Sequence, residues 1–155
     1  MRTTSSTSGS IGLNLLLGFI AAAIAVVTVH QGIVFVLTQI GLIKGTPWSL
    51  SPIKPWGMPQ IVNSMFWGGL WGVLFAVIHD KLPGGAMWLK GLIFGLIITV
   101  ISNWTLLPLI KGHVFGQPNQ ILFAGWDPTR MLATVLILTG FGIATGIIYG
   151  LIARR

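Results

Sequence analysis

The amino-acid sequence predicts an all-α, polytopic membrane protein. Four transmembrane helices are expected in a compact bundle, with two long Pro-, Trp- and Gly-containing loops on one side. Three observations carry this. Only 7% of the residues are charged and 54% are hydrophobic, against about 25% charged in an ordinary soluble domain, so polar groups cannot cover the surface. Four stretches carry no Asp, Glu, Lys or Arg: Ile11–Ile43, Ile61–Ile78, Gly91–Ile110 and Met131–Ala153. These match the roughly 17–25 apolar residues that a crossing helix needs, the second at the short limit. No segment shows the strict alternation over about ten residues that marks a membrane β-strand.

The elements follow in order. Residues 1–10, "MRTTSSTSGS", read as a disordered polar tail, and residues 11–155 as one four-helix domain. Tail and apolar run together imitate a signal peptide. A signal h-region, however, spans about 7–15 residues, and this run continues from Ile11 to Ile43, so an uncleaved first span is expected. A straight helix of that length would reach about 50 Å against a hydrocarbon core of about 30 Å. It must tilt, bend near Gly32, or lay its first turns in the headgroups. In "KGTPWSLSPIKPWGMPQ", Pro47, Pro52, Pro55 and Pro59 forbid regular helix, while Trp48 and Trp56 suit the headgroup level. The second span ends at "HDKLPGG", a tight turn over Leu82–Gly85. The third meets Pro108 in its last turn. A second long loop, Lys111–Trp126, leads to "WDPTR", where Asp127 is placed to cap the fourth span with Pro128 at its first position.

Charge excludes several functions. The net charge is +7 and the pI about 11.1, but the nine Lys/Arg are scattered at helix ends, with only Arg154 and Arg155 adjacent, rather than gathered into the patch or stripe that nucleic acid requires. No nucleic-acid partner is expected. With no Cys, disulfides, thiolate metal sites and cysteine nucleophiles are excluded. Arg2, Lys81, Lys90, Arg154 and Arg155 fall on the side of both termini, and Lys44, Lys54, Lys111 and Arg130 on the other. This bias places both termini in the cytoplasm. No carboxylate pair suits glycoside-type chemistry, and His30, His79 and His113 lack metal-ligand spacing. No catalytic residue, metal or cofactor is therefore expected.

Small residues recur every fourth position on three spans: Ser64, Gly68, Gly72 and Ala76; Gly91 and Gly95; Gly142, Gly146 and Gly150. In lipid, close backbone approach through small residues supplies helix packing, so these are the candidate packing faces. Beside the first stripe run Asn63, Trp67, Trp71 and Phe75. Trp67 and Trp71 are read first as bulky packing or lipid contact, and alternatively as an aromatic wall for a hydrophobic or quinone-like ligand. On the first span, Asn14, Ala21, Ala25, Thr28, Gly32 and Gln39 share one face at 100° per residue, with His30 roughly opposite and Gln31 between. An ionisable group inside a span is a functional-site hypothesis by default. With Thr99 and Asn103, which continue the Gly91–Gly95 stripe, His30 and Gln31 could line a polar path. The structural alternative is that His30 bonds another helix.

Several motifs, "HQG" (His30–Gly32), "PWGMPQ" (Pro55–Gln60), "FWGGLWG" (Phe66–Gly72), "LPGG" (Leu82–Gly85) and "LIKG" (Leu109–Gly112), resemble those of a family of small uncharacterised bacterial four-helix inner-membrane proteins. The resemblance implies the inner membrane of a bacterium and carries no activity. The function expected is a non-catalytic structural or accessory subunit of a membrane complex or a homo-oligomer, with the lipid bilayer and other membrane chains, or copies of itself, as partners. The alternatives are a small permease or channel using His30, Gln31, Thr99 and Asn103, and a lipid- or quinone-binding subunit.

Overall fold

A computed structural model describes residues 7–54, 57–114 and 121–153. The apolar runs fold into four helices long and apolar enough to cross a membrane: α1 (Ser10–Gln39), α2 (Gln60–Lys81), α3 (Met87–Leu109) and α4 (Pro128–Ile152). Helix already begins at Thr7, so the tail expected over residues 1–10 is a turn too long. Small hydroxyl residues are favourable at a helix start, and the apolar run behind Thr7–Ser10 carries the helix forward. Residues 1–6 lie outside the described residues.

Two of the helices are irregular. Within α1, a π-helical turn, Val26–His30, separates two α-helical parts. In α3, a longer π segment spans Thr99–Leu106. Both begin in runs of β-branched residues, Val26–Val29 and Ile97–Ile101, whose stiff side chains crowd a regular α turn. Downstream in α3, Pro108 has no N–H for the preceding turn. The widened register accommodates this, and the Thr105 hydroxyl donates to the Val100 carbonyl, five residues back, at 2.8 Å. In α1 the extra residue turns the helix face. The expected straight stripe is broken: Ala21 and Ala25 are buried, whereas Asn14, ahead of the π turn, and Thr28 and Gln39, within and after it, are exposed.

α1 ends sooner than Ile43. Gly41 takes a left-handed conformation (φ 73°), its N–H donates to Thr38, and the Leu42 N–H donates to Leu37. This pair of bonds is the Schellman helix stop, for which glycine avoids the Cβ penalty. Beyond the next loop, two short strands, β1 (Pro52–Ile53) and β2 (Met58–Pro59), pair antiparallel. Residues 55 and 56, with the headgroup role expected of Trp56, lie outside the described residues. α4 starts as expected: the Asp127 carboxylate accepts from the backbone N–H groups of Thr129 (2.8 Å) and Arg130 (3.2 Å).

Glycines set the helix contacts. On α2, a Cβ at Gly72 would overlap the Gly18 carbonyl and Ala22 of α1, and one at Gly68 would overlap Val26. Ala76 also lies against Gly18, while Ser64 is half-buried and donates to the Gln60 carbonyl. Between α3 and α4, Gly91 abuts the Gly142 backbone, Gly95 abuts Leu138 and Thr139, and Gly146 abuts Met87. Gly150 faces the Met87 side chain. α1 also packs on α4, where Gly140 meets Ile33. α2 and α3 meet through longer side chains: the Phe94 ring lies 5.2 Å from Phe75 and 6.3 Å from Trp71. Phe75, Phe94, Ile98, Thr99 and Thr145 are the largest fully buried side chains.

Candidate polar site on the first helix

A π turn leaves a carbonyl without its usual partner, and here a loop supplies one. In an α-helix the Val27 carbonyl would accept from the Gln31 N–H, four residues on. In the π turn that N–H is shared between the Thr28 and Val26 carbonyls instead. The indole N–H of Trp48 donates to the Val27 carbonyl at 2.8 Å. The side-chain carbonyl of buried Gln31 accepts from the Trp48 backbone N–H at 3.1 Å. Phe35 flanks the same indole, with ring centroids 6.0 Å apart.

These contacts require the chain after α1 to double back along it. Gly45 already lies beside Val34 and Thr38. Trp48 then reaches Val27, twelve residues and about 18 Å before the helix's last residue. Trp48 itself is left-handed (φ 51°), a conformation that costs a non-glycine residue about 1–2 kcal/mol. Its two hydrogen bonds hold it there. Trp48 was expected at the headgroup level by composition; its position follows from long-range bonds that no local pattern announces.

His30 faces the other way, into the bundle. Its ring meets Phe141 of α4 edge-on, with centroids 6.3 Å apart, and its Nδ1 is buried without a hydrogen-bond partner. Thr99 is buried and donates to the Gly95 carbonyl of its own helix at 2.8 Å. Asn103 is half-buried a turn further along the π segment. Of the residues proposed for a polar path, His30 and Gln31 are thus adjacent but turned to different neighbours, and Thr99 is bonded within α3. Trp67 and Trp71 do not form one wall either. Trp67 is 56% exposed and donates to the Asn63 side chain at 3.1 Å, whereas Trp71 turns inward onto Phe94.

Two further clusters are assembled by the fold. At the far end of α2, His79 lies 5.1 Å from the ring of buried Tyr149, its Nδ1 is 2.9 Å from the Ala76 carbonyl and its Nε2 is 3.3 Å from Asp80. The neighbouring His79–Asp80 pair was visible in the sequence; Tyr149, seventy residues away, was not. Beyond α3, Phe123, Ala124 and Trp126 adopt positive φ values with Gly125. There Phe123 stacks on Trp126 at 5.3 Å and meets Trp104, whose indole N–H is buried without a partner. Among the described residues no group of His, Asp and Glu could hold a metal ion. No family model, curated protein or solved structure matches the chain.

Proposed function

We propose that the chain is a multi-pass protein of a bacterial inner membrane, its four helices forming a transmembrane bundle with both termini in the cytoplasm. Its role is that of a non-catalytic structural or accessory subunit, within a larger membrane complex or a homo-oligomer. The observation that supports this over a permease is the use made of the polar groups inside the spans. Gln31 fastens a loop, and Thr99 and Thr145 bond carbonyls of their own helices. The only two carboxylates, Asp80 and Asp127, sit at helix ends beside His79 and as the α4 cap. Large apolar side chains remain exposed around the bundle, among them Phe66, Trp67, Leu70 and Val77 on α2, a surface for lipid and for neighbouring helices.

Native mass measurement after extraction in mild detergent tests the role. A heteromeric complex with reproducible stoichiometry, or a closed homo-oligomer, is expected. A monomer that retains no other chain at any detergent concentration would overturn the subunit reading.

A further inference from the structure

The π turn of α1 and the loop that returns to it hold hydrogen bonds that can be exchanged. In the observed register the Gln31 N–H reaches back to Val26, and the Val27 carbonyl accepts from the Trp48 indole. In an α register the Gln31 N–H would return to Val27, four residues before it, and occupy the acceptor that the indole uses. Both registers pair the Gln31 N–H, and only the first needs Trp48. Holding Trp48 in place has a cost, because its left-handed backbone (φ 51°) is disfavoured for a non-glycine residue. The bond from its N–H to the Gln31 side chain and the contact of its ring with Phe35 offset that cost.

The two parts of α1 differ in their freedom to turn. Before the π turn, Gly18 and Ala22 lie so close to Gly72 of α2 that no Cβ fits between, and backbone contact of this kind fixes the inner part. After the turn, the helix borders a cleft of about 560 Å³, lined by Val29, Gly32, Ile33, Val36 and Leu37 of α1 and Leu136 of α4. A Cβ on Gly32 would meet no atom within 4 Å, and Val36 is 54% exposed. Free volume therefore lies beside the part that would have to move. A π turn holds one residue more than an α turn, so closing it would rotate Gln31–Gln39 by about 100° and shift it by about 1.5 Å. We propose that α1 has two registers and that the Trp48 loop is the strap that selects between them. Fastened to Val27 and Gln31, the strap holds the π turn; withdrawn, it lets the outer part of the helix turn into the cleft and present another face. The inference uses the membrane placement proposed above only for the cost of a bare carbonyl in lipid, and it does not use the subunit role.

The chain has no Cys, so one engineered disulfide in the full-length protein reports the register. Ile33 packs on Gly140 of α4, and Ile33→Cys with Gly140→Cys should cross-link readily in nanodiscs under copper phenanthroline while the strap is fastened. Adding Trp48→Ala strands the Val27 carbonyl, which moves such an equilibrium by about tenfold or more. The initial cross-linking rate is then expected to fall about fivefold as position 33 turns away from α4. Deleting Thr28 from that same variant should restore the rate. The spacing from Val26 to Gln31 becomes four residues, and an ordinary α turn then keeps position 33 facing Gly140. Deletion of Val27 shortens the same spacing should the Thr28 deletion fail to fold. An unchanged rate in Trp48→Ala would mean that α1 sets its own register, and would overturn the proposal. So would a fall that neither deletion restores, because that is loss of packing and not a turn of the helix. Cross-linking reads the register alone, so either failure leaves the membrane placement standing.

Discussion

Two hydrogen bonds decide what Trp48 does, and they can be removed separately. Trp48→Phe keeps the ring against Phe35 but deletes the bond to the Val27 carbonyl. Gln31→Leu keeps side-chain bulk but deletes the acceptor for the Trp48 N–H. Each should lower unfolding stability in detergent by about 1 kcal/mol. Because both bonds hold the same residue, the double variant should lose less than the sum. His30 is a different case. Its Nδ1 has no hydrogen-bond partner to strand, so His30→Leu should change stability by less than about 0.5 kcal/mol, since removing an unbonded polar group for an apolar one is close to neutral. Equilibrium unfolding of the variants side by side checks both statements. A large loss in His30→Leu would mean that the ring bonds a group elsewhere in the assembly.

At the scale of the element, glycine placement separates contact faces from open ones. Gly72→Leu must push α1 and α2 apart, because the new side chain starts inside the Gly18 carbonyl. A loss of about 1–3 kcal/mol is expected from such overpacking. Gly12→Leu makes the same chemical change where nothing lies within 4 Å, and its melting temperature in detergent should match or exceed wild type, since leucine favours helix over glycine. Much of this was legible beforehand. The spacing of Gly68, Gly72, Gly91, Gly95, Gly142 and Gly146 marks faces where backbones approach, and the run "WDPTR" announces its own cap. The π turns were not legible. A single extra residue in a uniformly apolar helix leaves hydropathy unchanged while turning the face after it, so Thr28 and Gln39 fall outside the stripe a regular helix assigns them. The return of the loop to Val27 was hidden for a related reason: it depends on a bond across twenty-one residues, and composition offers only a tryptophan near a helix end.

For the whole molecule, the four helices long and apolar enough to cross a membrane were readable because helix length and charge depletion act over twenty residues at a time. Function was not readable in the same way, because the polar residues within these helices acquire their meaning only from what they touch. The proposed orientation is tested by accessibility. A cysteine at Ser51, exposed near β1, should react with a membrane-impermeant thiol reagent in intact cells, whereas one at Gly85, exposed in the α2–α3 turn, should react only after permeabilisation. The opposite pattern would invert the bundle without altering its span count. The central claim is that the polar groups within these helices do not form a conducting path. It is tested most directly by proton flux through the purified protein in liposomes, between about pH 5.5 and 8, where an unperturbed histidine changes charge. The account predicts flux equal to that of protein-free liposomes for both wild type and His30→Gln. A pH-dependent flux in the wild type that disappears in His30→Gln would contradict it.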